Sequence, residues 1–266
     1  MRYLLPPALS FAMVAAPVLA GPTDHDAQLT VINGWQTKNG SYMAGLRIDL
    51  ADGWKTYWRA PGDAGIPPLI DWTQADNIAS TAFHWPVPLV FDQGGARSIG
   101  YDQTVTVPVE IFAQDPDQPI RLTGTIEIGV CDEICVPVSL DFDAPLTPAK
   151  RRNPEIMAAL VNRPDTAAEA GIGAVTCAIS PLSDGLQITT SIDMPSGARI
   201  NAAVIETADP RIWVSQPDLA VVQGKLTATS DLIHVDGGGF AVDRAGVRIT
   251  VFTDKTAIDI QGCRAP

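Results

Sequence analysis

From Asp26 onward, short runs of alternating apolar and polar residues are punctuated by glycine, proline, asparagine and aspartate. Gln28–Ile32, Tyr42–Leu50, Trp54–Trp58 and Leu69–Trp72 come first, then Ile78–Trp85, Val105–Phe112, Ile120–Ile128 and Val136–Phe142. Successive side chains on a strand point to opposite faces, so each run predicts a strand with one buried side. Many such strands without helical crossovers predict an antiparallel sandwich. The 22 prolines and 22 glycines suit the turns and edges of that architecture.

Pro145 to Pro164 interrupts the rhythm. Asn153-Pro154-Glu155 reads as a helix start, with asparagine capping and proline in the first turn. Ile156, Met157, Leu160 and Val161 then follow at helical spacing until Pro164 stops the helix. The preceding Lys150-Arg151-Arg152 is the densest positive run and reads as a solvated linker face. Strands resume at Val175–Ile179, Leu186–Ile192, Ala202–Glu206, Ile212–Val214 and Leu226–Thr229. Val247–Phe252 and Ala257–Ile260 close the chain as a hairpin around Thr253-Asp254-Lys255. The fold class is therefore all-β: two β-sandwich domains, 21–147 and 171–266, joined by a linker (148–170) with a short helix.

The first residues add a destination. Residues 1–20 have the form of a secretory signal: one charge at Arg2, an apolar stretch from Leu4 to Leu19, and small residues at Val18-Leu19-Ala20. Cleavage is expected after Ala20, which predicts an exported, periplasmic protein. No later run reaches the roughly 18 apolar residues of a membrane span, so no stable membrane insertion is expected. The formal net charge of −12 argues against nucleic acid and anionic lipid as partners, since both call for basic patches.

Export makes the four cysteines, Cys131, Cys135, Cys177 and Cys263, readable as two disulfides. Cys177 lies in the first strand of the second domain and Cys263 just beyond its last. A bridge between them would span that domain, worth roughly 4–5 kcal/mol in the chain-entropy model, and reads as a structural disulfide. Cys131 and Cys135 lie where one strand turns into the next, in Gly129-Val130-Cys131-Asp132-Glu133-Ile134-Cys135-Val136-Pro137. So small a ring gains only roughly 2 kcal/mol from loop entropy. Stability alone is a poor reason for it. A redox pair or a metal site is the sharper reading.

As a redox pair, Cys131 and Cys135 would cycle between dithiol and disulfide through a mixed disulfide with a partner. Asp132 and Glu133 disfavour thiolates, which tilts the pair toward donating electrons. As a metal site, two thiolates suit Cu(I), with His84 in Phe83-His84-Trp85-Pro86 the plausible third ligand. Otherwise copper has no role, and exchange requires no cofactor. A third reading is an inert clip in a structural interaction domain.

Three stretches together resemble a known family: Phe91-Asp92-Gln93-Gly94-Gly95-Ala96-Arg97-Ser98-Ile99-Gly100-Tyr101, Val105-Thr106-Val107-Pro108-Val109, and Gly129 to Pro137. They are similar to the amino-terminal periplasmic domain of the thiol:disulfide interchange protein DsbD and to the related copper-sensitivity suppressor proteins. Gly53-Trp54-Lys55-Thr56-Tyr57-Trp58-Arg59-Ala60-Pro61-Gly62-Asp63-Ala64-Gly65-Ile66-Pro67-Pro68 resembles the suppressor branch. The resemblance covers about Asp26 to Leu146. It implies an immunoglobulin-like first domain with Cys131 and Cys135 as the redox pair on a hairpin, the second cysteine bonding to partners. It implies electrons received from a thioredoxin-like protein or membrane thiol:disulfide reductase and passed to periplasmic disulfide-bearing clients.

The resemblance also implies a cap loop over the pair, here Phe91 to Ser98. Phe91, Asp92, Gly94, Gly95 and Tyr101 are thus candidate lining residues, with Trp54 and Trp58 read as core. Where DsbD's cap carries adjacent aromatics this chain has Gly94-Gly95, and its cysteine spacing is shorter. DsbD continues into membrane and thioredoxin-like domains that are not found before Pro266, so the expected electron donor is a separate protein.

Overall fold

The computed structural model describes residues 27–62, 65–93 and 96–266. The expected export signal, His25, and Gly94-Gly95 of the expected cap lie outside the described residues. The first domain contains β1 (Ala27–Gln36), β2 (Tyr42–Leu50), β3 (Lys55–Gly62), β4 (Leu69–Asp71) and β5 (Ile78–Phe83). It continues with β6 (Leu89–Gln93), β7 (Ala96–Tyr101), β8 (Val105–Ala113), β9 (Ile120–Cys131) and β10 (Cys135–Leu146). One sheet runs β1-β2-β8-β5 and the other β10-β9-β3-β7-β6, with β4 also on β9. All the pairings are antiparallel. The inward positions Leu46, Trp58, Val107, Leu122, Ile126, Ile128 and Val130 are almost fully buried between the sheets.

The expected alternation is plainest on β10. Val138, Leu140 and Phe142 are buried while Pro137, Ser139, Asp141, Asp143 and Pro145 are exposed. This strand is the edge of its sheet. Proline has no N–H to give a ladder and is tolerated where that position faces outward. Pro137 and Pro145 stand eight positions apart in the same two-residue phase, which aims both nitrogens away from β9.

The described residues of the expected cap, Phe91–Gln93 and Ala96–Ser98, pair with each other as part of a hairpin, β6 and β7, and β7 pairs onto β3. Pro86 and Pro88 just before it hide the alternation.

The helix α1 (Pro154–Val161) forms as its cap predicts, the Asn153 side chain accepting from the backbone N–H groups of Glu155 and Ile156. It lies on the first domain: Ile156 is fully buried with Trp35 and Met43. Burying one such side chain contributes about 1.5–3 kcal/mol. All three residues of the basic triplet are exposed, and the Arg152 guanidinium sits 5.7 Å from the centre of the Trp35 ring.

The second domain comprises β11 (Asp165–Thr166), β12 (Val175–Pro181), β13 (Leu186–Asp193), β14 (Ile200–Glu206), β15 (Ile212–Val214) and β16 (Asp218–Val222). It ends with β17 (Lys225–His234), β18 (Arg248–Thr253) and β19 (Ala257–Gln261). Its sheets run β11-β19-β18-β14 and β12-β13-β17-β15, with β16 also on β17. The sandwich thus begins at β11, inside the stretch read from sequence as linker. Strand β16 was not evident from the sequence. It turns into β17 through Gln223 and Gly224, both with positive φ (52° and 79°), the geometry a two-residue hairpin requires. Cys177 and Cys263 are bridged, as expected, with Cys177 fully buried.

The two sandwiches share a core. Ala202, Phe252 and Ala257 of the second domain pack into the first domain's cluster, where Phe252 meets Trp58 edge-on at 5.7 Å. Next to Trp58, the Arg59 guanidinium stacks on its indole (3.8 Å) and crosses to Glu206 through two hydrogen bonds of 3.1 and 3.0 Å. Arg59 also donates to the Thr250 hydroxyl. Burial disfavours its charge, and the Glu206 carboxylate offsets this.

Candidate redox site

Cys131 ends β9 and Cys135 begins β10, and the two are cross-strand partners joined by a disulfide. Lys55 of β3 is the partner of Cys131 on its other side. Lys55, Cys131 and Cys135 therefore stand abreast across three strands, with side chains on one face. Thr56 and Val130, one step along, turn inward, and the Thr56 hydroxyl locks the strands together by donating to the Gly129 carbonyl at 2.9 Å. The next outward residue on β3 is Tyr57. Its hydroxyl lies 2.7 Å from Cys131 Sγ and 3.0 Å from Cys135 Sγ. Disulfide sulfurs have no hydrogen, so the phenol is the donor. Burial pushes its pKa up, which keeps the donor protonated at neutral pH.

Tyr57 is only 7% exposed although it faces outward. Gly65 and Ile66 lie over this region, and two glycines make the room. A Cβ on Gly65 would lie 2.8 Å from Tyr57 Cδ1, and one on Gly129 would lie 2.8 Å from Cδ2. The ring is thus held between β9 and the returning chain, its hydroxyl aimed at the sulfurs.

The two sulfurs differ in access. Cys131 is 6% exposed, whereas Cys135 is exposed at the edge of the sheet beside Ile134, which is 73% exposed. Asp132 and Glu133 are exposed in the turn. Lys55 adds a cation beside Cys131 that the sequence did not reveal, with its ammonium 5.1 Å from the centre of the Phe91 ring. Of the expected cap, Phe91 therefore reaches the site through Lys55. Asp92 pairs with Arg97 at 3.4 Å.

Tyr101 is placed otherwise than expected. It is the cross-strand partner of Thr56, so it points inward, away from the sulfurs, and its hydroxyl donates to the Pro86 carbonyl at 2.9 Å. It borders a cleft with Arg47, Asp49 and Glu155 instead. Tyr57 holds the place at the pair that Tyr101 was expected to line. The parity of the run was the available signal: with Thr56 and Trp58 inward, Tyr57 must face the other side. Trp54 and Trp58 pack in the core as expected.

His84 follows β5 in the sheet that does not carry the cysteines, its Nε2 3.4 Å from Glu110 Oε2. Among the described residues no group of three or more histidine, cysteine or acidic side chains is arranged to hold a metal. The chain's donors for Cu(I) at this site would be the two thiolates, without the imidazole.

Fold and site together define an immunoglobulin-like domain with a cysteine pair on an exposed hairpin, a class built for thiol–disulfide exchange. Residues 26–147, the first domain, match the family described as thiol:disulfide interchange protein DsbD, N-terminal. The whole fold resembles the crystal structure of the N-terminal periplasmic domain of ScsB from Proteus mirabilis. Identity is 26%, TM-score 0.64, and the match covers 93% of this chain and 96% of that one. A match to the reduced N-terminal domain of DsbD from Neisseria meningitidis has 18% identity and a TM-score of 0.31, covering 50% of this chain and 94% of that one. No curated protein matches in sequence comparison. Among the described residues no helix is long and apolar enough to cross a membrane.

Proposed function

We propose that this protein is an exported periplasmic relay. It takes electrons from a thioredoxin-like protein or membrane thiol:disulfide reductase and passes them to periplasmic disulfide-bearing clients. The observation that carries this reading is the asymmetry of the pair: an exposed Cys135, and a buried Cys131 whose sulfur accepts a hydrogen bond from Tyr57. A donor thiolate attacks Cys135 Sγ, the Cys131–Cys135 bond breaks, and its electron pair leaves on Cys131, where the phenol stabilises the charge. The donor's second thiolate then attacks the mixed disulfide, frees Cys135 and oxidises the donor. Two protons from solvent complete the dithiol, and the reverse sequence on a client disulfide discharges it.

The test is exposure of the oxidised protein to a reduced thioredoxin-like protein, followed by alkylation and mass mapping. Labelling at Cys131 and Cys135 with Cys177 and Cys263 protected is expected. Protection of the first pair, or earlier labelling of the second, overturns the relay.

A further inference from the structure

Lys55 has two partners within reach. Its ammonium is 5.1 Å from the centre of the Phe91 ring, while its backbone is directly opposite that of Cys131. Opposed residues in an antiparallel ladder have Cα atoms about 4.5–5.5 Å apart, a distance the four-carbon stem of lysine covers. With the disulfide closed, the Cys131 sulfur is uncharged and the aromatic face holds the cation unopposed. Once Cys131 leaves as a thiolate, a full negative charge appears at a site 6% exposed, where screening is weak.

We infer that Lys55 is a positioning residue that changes partner with the redox state. It rests on Phe91 while the pair is oxidised, and pairs with the Cys131 thiolate when the Cys131–Cys135 bond breaks. The inference rests on the relay reading and adds which cation stabilises the sulfur that leaves. The other charges around the site do not substitute for it. Asp132 and Glu133 carry the wrong sign, and Arg97 is engaged with Asp92. The Tyr57 hydroxyl supplies a hydrogen bond but no charge.

The test uses the full chain with Cys135→Ser, which leaves Cys131 as a free thiol, and follows thiolate absorbance near 240 nm as pH is raised. An opposite charge at this range shifts a thiol enough to change its thiolate fraction roughly tenfold or more. Lys55→Met should therefore lower the fraction of Cys131 thiolate about tenfold at a pH below the midpoint, and Lys55→Arg should restore it. Phe91→Ala removes the competitor, so it should raise the fraction about two- to threefold, and only when Lys55 is present. An unchanged titration in Lys55→Met overturns the inference, as does a Phe91→Ala effect that persists beside Lys55→Met. Thiolate titration involves no partner, so failure of a thioredoxin-like protein to reduce the disulfide would count against the relay and not against Lys55.

Discussion

A β-carbon on Gly129 would lie 2.8 and 2.9 Å from Cδ2 and Cε2 of Tyr57, and 2.7 Å from Cβ of Ile66. The glycine is what allows a tyrosine ring to lie flat over β9 and still present its hydroxyl two residues further on, at Cys131. Gly129→Ala is thus expected to destabilise the first domain by about 1–3 kcal/mol, the usual cost of overpacking. It should also slow disulfide reduction by displacing the phenol. Thermal unfolding and dithiothreitol reduction rates check both. An alanine tolerated in both measurements would mean the ring has room the structure does not show.

Tyr57→Phe keeps the ring and removes the donor. A hydrogen bond to a charged group is worth about 1.5–3 kcal/mol, and about 1.4 kcal/mol is tenfold in rate. Reduction of the Cys131–Cys135 disulfide by a small dithiol should slow by roughly tenfold or more, with the unfolding temperature little changed. Equal rates in the two proteins would remove the phenol from the exchange step.

Exposure predicts which sulfur meets the partner. Cys131→Ser should trap a covalent complex with an oxidised thioredoxin-like protein through Cys135, because the resolving thiol is gone. Cys135→Ser leaves a sulfur only 6% exposed and should trap little. Non-reducing gels of both variants distinguish the cases, and equal trapping would contradict the asymmetry.

The Arg59–Glu206 pair predicts a dependence of one domain on the other. Glu206→Gln leaves the Arg59 guanidinium, with its side chain only 12% exposed, facing Asp259 at 4.0 Å as its nearest remaining carboxylate. The expected loss is roughly 3 kcal/mol, at the low end for an orphaned buried charge. Replacing both residues, with Arg59→Met and Glu206→Met, should recover much of it. Denaturant unfolding of the single and double variants measures the coupling, and additive losses would show the two side chains to be independent.

Much of this was legible in the chain. Alternation located most strands, and Asn153-Pro154 located the helix. The positions of Cys177 and Cys263 around the second domain's strands pointed to their bridge. The pair on the hairpin was legible because strand runs flank it directly. What the sequence withheld was register. Nothing in Gly53 to Pro68 says that Lys55 pairs with Cys131, and without that pairing Tyr57 is one more aromatic between two tryptophans. Tyr101 was misread for the same reason: its proximity in sequence to the cap says nothing of facing, and pairing with Thr56 turns it into the core. The β6–β7 hairpin was hidden because Pro86 and Pro88 break the alternation just before it, leaving too short a pattern to read.

The prolines on β10 bear on how a partner would leave. An open sheet edge is ordinarily adhesive, since any extended chain can add itself as a further strand. Here the edge starts at Cys135, so an incoming protein is tethered beside it. Pro137 and Pro145 withhold two of the N–H donors that strand addition would use. Ser139, Asp141 and Asp143 keep theirs in the same phase, so the ladder a visitor could add is weakened, and less detains it once the covalent bond is exchanged away. For the relay proposed above, which meets a donor and then a client, quick departure matters more than tight grip, and the prolines of β10 favour it.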